Sequence, residues 1–135
     1  MTKSLVLAAL TALLIFSGCK KDSDNTPASD TSPSAIVIDA PTSSTLYING
    51  STMNVTGTIV DNDNLSQARV EIKNKISGAI YNQQSSTTGT VSFYRFQWSW
   101  PVTGITGPTQ ATVKITAKDK NGFEISKSVD VNLDN

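Results

Sequence analysis

The sequence predicts an all-β domain, a Greek-key β-sandwich of seven or eight strands over residues 35–135. β-Branched side chains dominate this region, with thirteen Thr, nine Val and ten Ile against three Leu and six Ala. Such side chains favour the pleated surface of a strand over a helix. Apolar residues also recur at every second position, and turn residues separate these runs at regular spacing.

Five runs of alternating apolar residues mark strands in chain order. The first run is Ile36 and Ile38, which precede Pro41. The other four are Met53, Val55, Gly57 and Ile59; Tyr94, Phe96, Trp98 and Trp100; Val113, Ile115 and Ala117; and Phe123, Ile125, Val129, Val131 and Leu133. Asn49-Gly50 predicts a hairpin turn because both residues tolerate positive φ. Residues 61–64, 104–108 and 121–122 supply further turns.

Two segments are harder to assign. In 66–76, a helix would place Leu65, Ala68, Ile72 and Ile76 on one face. The same segment alternates as in a strand at Ala68, Val70 and Ile72. We predict a strand because the neighbouring segments are strands. Residues 83–90 are uniformly polar, and we predict a loop there.

The N-terminus predicts a signal peptide over residues 1–18. A singly basic start is followed by twelve residues, 5–16, that are apolar except for one threonine. As a helix this run spans about 18 Å, which is short of the roughly 30 Å hydrocarbon core. The segment therefore fits the hydrophobic region of a signal peptide and not a permanent membrane span.

The order Phe16-Ser17-Gly18-Cys19 resembles a bacterial lipobox. That resemblance implies lipidation of Cys19 by acyl chains such as palmitate, which would anchor the mature chain in a membrane. Phe16 replaces the aliphatic residue usual in the motif, and a plain secretory peptide is the alternative. An aspartate after the cysteine resembles a signal for retention in the inner membrane. Lys20 occupies that position here, so the resemblance implies location in the outer membrane.

Residues 19–34 are predicted to be a lipidated N-terminus and flexible linker. Ala28 is the only apolar residue between Lys20 and Ser34, and such a segment cannot bury enough surface to fold. The charged start 20–24 resembles a signal that sends lipoproteins to the cell surface. The alternative is a solvated spacer without a targeting signal, and the periplasmic face of the membrane is then the alternative location.

The folded region resembles the immunoglobulin-like or cadherin-like modules of bacterial surface proteins. The resemblance lies in 56–61 as a second strand entering an acidic loop, 68–72 as a third strand, and 113–122 as the penultimate strand with its turn. It implies a two-layered sandwich used in adhesion. The chain lacks the cysteine pair and the tyrosine corner of antibody domains, so packing must supply the stability.

The composition excludes most kinds of catalytic site and also nucleic-acid binding. With no histidine, the sequence contains no Ser-His-Asp or Cys-His arrangement, and it has no glycine-rich phosphate loop. Eleven basic and eleven acidic residues balance, so the chain lacks the positive charge that nucleic-acid binding requires. We therefore expect neither an enzyme nor a nucleic-acid-binding protein, and no cofactor other than calcium.

Calcium is the one metal that the composition permits, because it accepts carboxylate and carbonyl oxygens. The candidate ligands are Asp61, Asp63 and Asp119. In an immunoglobulin-like topology their two loops meet at the same end. The alternative, which we favour, is that these aspartates form turns through local hydrogen bonds.

The run Tyr94-Arg95-Phe96-Gln97-Trp98-Ser99-Trp100 also permits two interpretations. Aromatic faces can stack on sugars, but four aromatic residues of one parity fit a strand face buried in the core. We predict a core strand in which Phe93 is exposed.

The sequence thus predicts a lipid-anchored cell-envelope binding or adhesion module without catalytic activity. A glycan-binding lipoprotein of a nutrient-uptake complex and a structural subunit of an envelope assembly are the alternatives. Exposed tryptophans would favour glycan, a long open edge strand would favour assembly, and exposed clustered aspartates would favour metal-linked adhesion. The protein or glycan partner is not specified by the sequence.

Overall fold

A computed structural model describes residues 35–135, apart from the side chain of Asp63, and contains six strands and no helix in that range. The strands are β1 (Ala35–Ala40), β2 (Leu46–Ile48), β3 (Thr52–Asn74), β4 (Ile80–Pro101), β5 (Thr109–Asp119) and β6 (Glu124–Asp134). The predicted all-β class is confirmed. None of the residues described forms a helix with the length and hydropathy of a transmembrane span.

The two long strands, β3 and β4, each serve both layers of the sandwich. In the first layer, the first half of β3 lies between β1 and the second half of β4, as in the pairs Ile36↔Ile59 and Val55↔Trp98. In the second layer, the other half of β3 lies between the first half of β4 and β5. β6 and then β2 complete that layer. The chain crosses from one layer to the other within β3, within β4 and between β4 and β5, which is the Greek-key order of immunoglobulin-like sandwiches.

One hydrophobic core lies between the two layers. The first layer contributes Met53, Val55, Ile59, Phe96, Trp98 and Trp100, and the second contributes Ala68, Val70, Ile72, Val113, Ile115, Ala117, Val131 and Leu133. Each of these side chains is less than 9% exposed. The alternating positions singled out in the sequence are therefore mostly the buried ones, because successive strand residues point to opposite faces.

The sandwich has two opposite ends, at which the turns between strands lie, and we call them the bend end and the hairpin end. At the bend end, the bend of β3 at 61–64 lies beside the turn from β5 to β6, where Lys120 N donates to Asn64 O at 3.1 Å. β1 starts at this end, since Ala35 pairs with Val60. At the hairpin end, Lys75 N in the turn from β3 to β4 donates to Gln110 O at 2.9 Å.

The structure corrects two local predictions. Residues 83–90 are not a loop, because they belong to β4, and 83–87 pair with the second half of β3. Asn49-Gly50 forms a turn, in which Ser51 N donates to Ile48 O at 2.9 Å, but it does not form a hairpin. β2 pairs in parallel with β6 and not with β3. The strand predicted for 66–76 is confirmed as far as Asn74.

Candidate functional site

The outer edge of β4 is the longest strand edge without a partner in the described part of the chain. β4 pairs only with β3, and it forms an edge of the second layer with its first half and of the first layer with its second half. Backbone N–H and C=O groups that point outward from an edge strand are available to a further strand. This geometry makes β4 the first candidate for a binding surface.

The regular part of this edge is short and uncharged. Residues 82–87 keep an uninterrupted register with β3, from Ile72↔Asn82 to Gln67↔Thr87, and the register shifts on either side. We call residues 82–87 the open edge. No charged residue and no proline occurs between positions 76 and 94. Natural sandwiches commonly protect edge strands with lysine, proline or inward-pointing charges, and the open edge has none of these.

The two halves of β4 contact each other. Gln84 Nε2 donates a 3.0 Å hydrogen bond to the backbone oxygen of Ser99. The rings of Tyr81 and Trp100 stack with centroids 5.9 Å apart. These contacts join the two halves of β4 across the side of the sandwich through the side chains of Tyr81, Gln84 and Trp100, while the backbone of 82–87 pairs only with β3.

The aromatic run is part of the core and not a sugar-stacking surface. Phe96 is fully buried, while Trp98 and Trp100 are 7% and 4% exposed. Phe96 and Trp98 stack on each other with centroids 5.0 Å apart. Phe93 is 55% exposed, as predicted. The exposed tryptophans that would favour glycan binding do not occur in this sandwich.

The aspartates proposed as calcium ligands lie at the bend end. The topology brings the bend that carries Asp61 next to the end of β5, where Leu65 pairs with Asp119. Asp61 and Asp119 are 2% and 1% exposed, so they do not form an exposed acidic surface. The side chain of Asp63 lies outside the described part of the structure. Among the side chains that are described, no three potential ligands are grouped to hold a metal ion.

Asp119 instead organises the turn between β5 and β6. Its Oδ1 accepts hydrogen bonds from Asn121 N and Phe123 N, both at 2.8 Å. Ser66 Oγ donates to the backbone oxygen of Asp119 at 2.7 Å. Oδ2 of Asp119 is buried and has no hydrogen-bond partner among the described atoms. The hydrogen bonds support the turn-forming role, and calcium binding stays a prediction.

A cleft of about 370 Å³ lies at the hairpin end. Leu46 and Ile76 flank it, and both are exposed, by 56% and 89%. Beside it, Lys75 Nζ contacts Asp130 Oδ2 at 2.7 Å, and Thr112 Oγ1 donates to Asp130 Oδ1 at 2.7 Å. The hydrogen bonds from Lys75 and Thr112 lower the pKa of Asp130. Lys75 and Asp130 thus form an exposed ion pair, and with Thr112 they join the turn between β3 and β4 to β5 and β6.

Cys19, the predicted lipidation site, lies outside the described residues, as do the signal peptide 1–18 and the linker 19–34. Sequence reasoning found the aromatic core and the bend-end aspartates. It does not predict the open edge, because a uniformly polar segment indicates a loop. The absence of charge and proline over 76–94 is the sequence signal that could have indicated an edge strand.

No protein-family model and no curated protein sequence matches this chain. Among solved structures, it is similar to the fibronectin(III)-like modules of CbhA from Clostridium thermocellum, with 17% identity and a TM-score of 0.49 over 73% of this chain and 94% of that one. It is also similar to the sporulation control protein Spo0M of Bacillus subtilis, with 10% identity and a TM-score of 0.46 over 75% of this chain and 48% of that one. Neither likeness identifies a function, and the fold assignment depends on the strand order and core described above.

Proposed function

We propose that this protein is a lipid-anchored binding module of the cell envelope, without catalytic activity, that recognises a protein partner through the open edge of β4. The observation that carries the proposal is the uncharged edge over 82–87, whose backbone pairs with no strand other than β3. Addition of an extended segment to such an edge is a common mode of peptide recognition. The lipobox resemblance at Cys19 supports anchoring in the outer membrane, with the sandwich on the cell surface.

The glycan-binding alternative loses its main support because Trp98 and Trp100 are in the core. The structural-subunit alternative keeps its support, because an open edge strand serves a stable assembly as well as a transient adhesion contact. Both remaining functions use a protein partner at the same edge.

Two experiments test the proposal. Labelling cells with a fatty-acid probe should mark the wild-type chain and not Cys19→Ser, which should leave the membrane fraction; an unmarked wild-type chain refutes the anchoring.

A pull-down from envelope extract with the chain from residue 20 should recover a protein partner with or without calcium. The same pull-down with Ser85→Lys/Thr87→Lys should lose that partner, while Ser43→Lys/Thr103→Lys, which adds two charges in exposed loops, should retain it. Equal recovery by both variants would exclude the open edge as the binding surface.

A further inference from the structure

We infer that the partner of the open edge is a second copy of this chain, paired with it in antiparallel orientation over residues 83–87. The inference rests on the proposed function and names its partner. It begins with the sequence of the edge, Asn-Gln-Gln-Ser-Ser-Thr. Residues that face each other in an antiparallel pair point to the same side of the sheet, so a two-fold axis must pass beside a residue that pairs with its own copy. An axis at Ser85 places residue 85 opposite residue 85, residue 84 opposite residue 86 and residue 83 opposite residue 87.

The resulting pairs are compatible with each other. Gln83 faces Thr87, Gln84 faces Ser86, and Ser85 faces Ser85 of the other copy, so each pair joins two polar side chains on the same face of the sheet. No like charges meet, because the nearest charged residues along the chain are Lys75 and Arg95, outside the paired segment. The chain as a whole carries no formal net charge, so long-range repulsion does not oppose the approach of two copies.

The shape of the edge limits the pairing to a closed dimer. The register shifts on both sides of 82–87 restrict the regular edge to six residues. A two-fold contact also uses the same edge of both copies, so the edge is consumed when the dimer forms and no fibre grows through it. So short a contact is weak by itself, and many copies on one surface would strengthen it through avidity.

The orientation of the two copies follows from the topology. β1 starts at the bend end, so the segment that leads to Cys19 leaves each sandwich there. Antiparallel pairing reverses the long axis of one copy relative to the other, which places the two bend ends on opposite sides of the dimer. The dimer therefore suits copies anchored on two facing surfaces, which is the geometry of adhesion between cells.

Analytical ultracentrifugation of the chain from residue 20, which contains every described residue and no lipid, tests the pairing. The wild-type chain should show a concentration-dependent monomer–dimer equilibrium. Ser85→Lys/Thr87→Lys should raise the dissociation constant by about tenfold or more, since it adds like charges along the shared edge. Ser43→Lys/Thr103→Lys should leave the constant unchanged, and circular dichroism should show that both variants are folded.

A wild-type chain that stays monomeric overturns the inference and leaves the edge to another protein, which the pull-down would still detect. A dimer that persists in Ser85→Lys/Thr87→Lys also overturns it, because the contact would then lie elsewhere. Beads to which the chain is attached at residue 20 test whether copies on two facing surfaces pair with each other. Clustering of wild-type beads, but not of beads with the edge variant, supports pairing between facing surfaces, whereas a soluble dimer without clustering contradicts it.

Discussion

The ring of Phe96 in β4 occupies the space in which a side chain at Gly57 in β3 would begin. A Cβ atom built on Gly57 would lie 2.5 Å from Cζ of Phe96 and would also collide with the backbone oxygen of Val37. Gly57 and Phe96 are register partners in the first layer. The glycine thus allows β1, β3 and the largest fully buried side chain of the core to approach closely.

Gly57→Ala should therefore destabilise the domain by about 1–3 kcal/mol, because an added methyl group in a filled core forces backbone or ring to move. Unfolding in urea measures the change. Gly107→Ala is the matched control, since no atom lies within 4 Å of its added Cβ and its φ is not positive. Equal stability of the two variants would show that the space at Gly57 is not filled as described.

The two phenylalanines of β4 test the assignment of the aromatic run to the core. Phe96 is fully buried and Phe93 is 55% exposed, although only three positions separate them. Phe96→Ala should lower the free energy of unfolding by about 3–5 kcal/mol, as for other buried aromatic residues. Phe93→Ala should lower it by about 1 kcal/mol or less, because much of its surface remains in water when the protein is folded. Denaturant unfolding followed by tryptophan fluorescence compares both, and a reversed order would contradict the assignment.

These residues also show which parts of the fold the sequence could predict. The period-two pattern of Phe96, Trp98 and Trp100 predicts a buried strand face because apolar burial drives it. Residues 83–90 lack that signal. Their strand is specified by backbone pairing with β3, at an edge where only one side is covered, so side-chain hydropathy does not reveal it.

The candidate site was predictable only in part for a similar reason. The sequence placed Asp61 and Asp119 in loops of the same end, and the structure brings that bend and that turn together. It did not reveal that both side chains are buried, because burial of a polar residue depends on neighbours that are distant in sequence. Likewise, Asn49-Gly50 indicates a turn, but the pairing partner of β2 is set by β6 at the other end of the chain.

Asp119 separates the turn-forming role from calcium binding. Asp119→Asn keeps an oxygen that can accept from Asn121 N and Phe123 N, whereas Asp119→Ala leaves both groups without that acceptor. Asp119→Ala should lower the free energy of unfolding by about 1–3 kcal/mol, and Asp119→Asn by less. Asp39→Ala, at an exposed position in β1, is the control.

Calcium should leave the melting temperature of the wild-type chain unchanged if Asp119 only forms the turn. A rise in melting temperature with calcium that Asp119→Asn abolishes would instead support a metal site at the bend end, because ligand binding to the folded state alone stabilises it. Calorimetric titration with calcium gives an independent measurement of the same difference.

The ion pair of Lys75 and Asp130 should make stability depend on pH in the acid range. Hydrogen bonds from Lys75 and Thr112 lower the pKa of Asp130 in the folded state. A lowered carboxylate pKa contributes stability above the pKa of the unfolded chain, and this contribution is lost as pH falls through the folded-state pKa. Because the pair is exposed, the contribution should be about 1 kcal/mol or less. Lys75→Met should lower stability near neutral pH and reduce the loss on acidification below the ordinary range of aspartate. Lys127→Met removes a lysine from β6 and should retain the wild-type profile, so equal profiles for the two variants would contradict the coupling of Lys75 to Asp130.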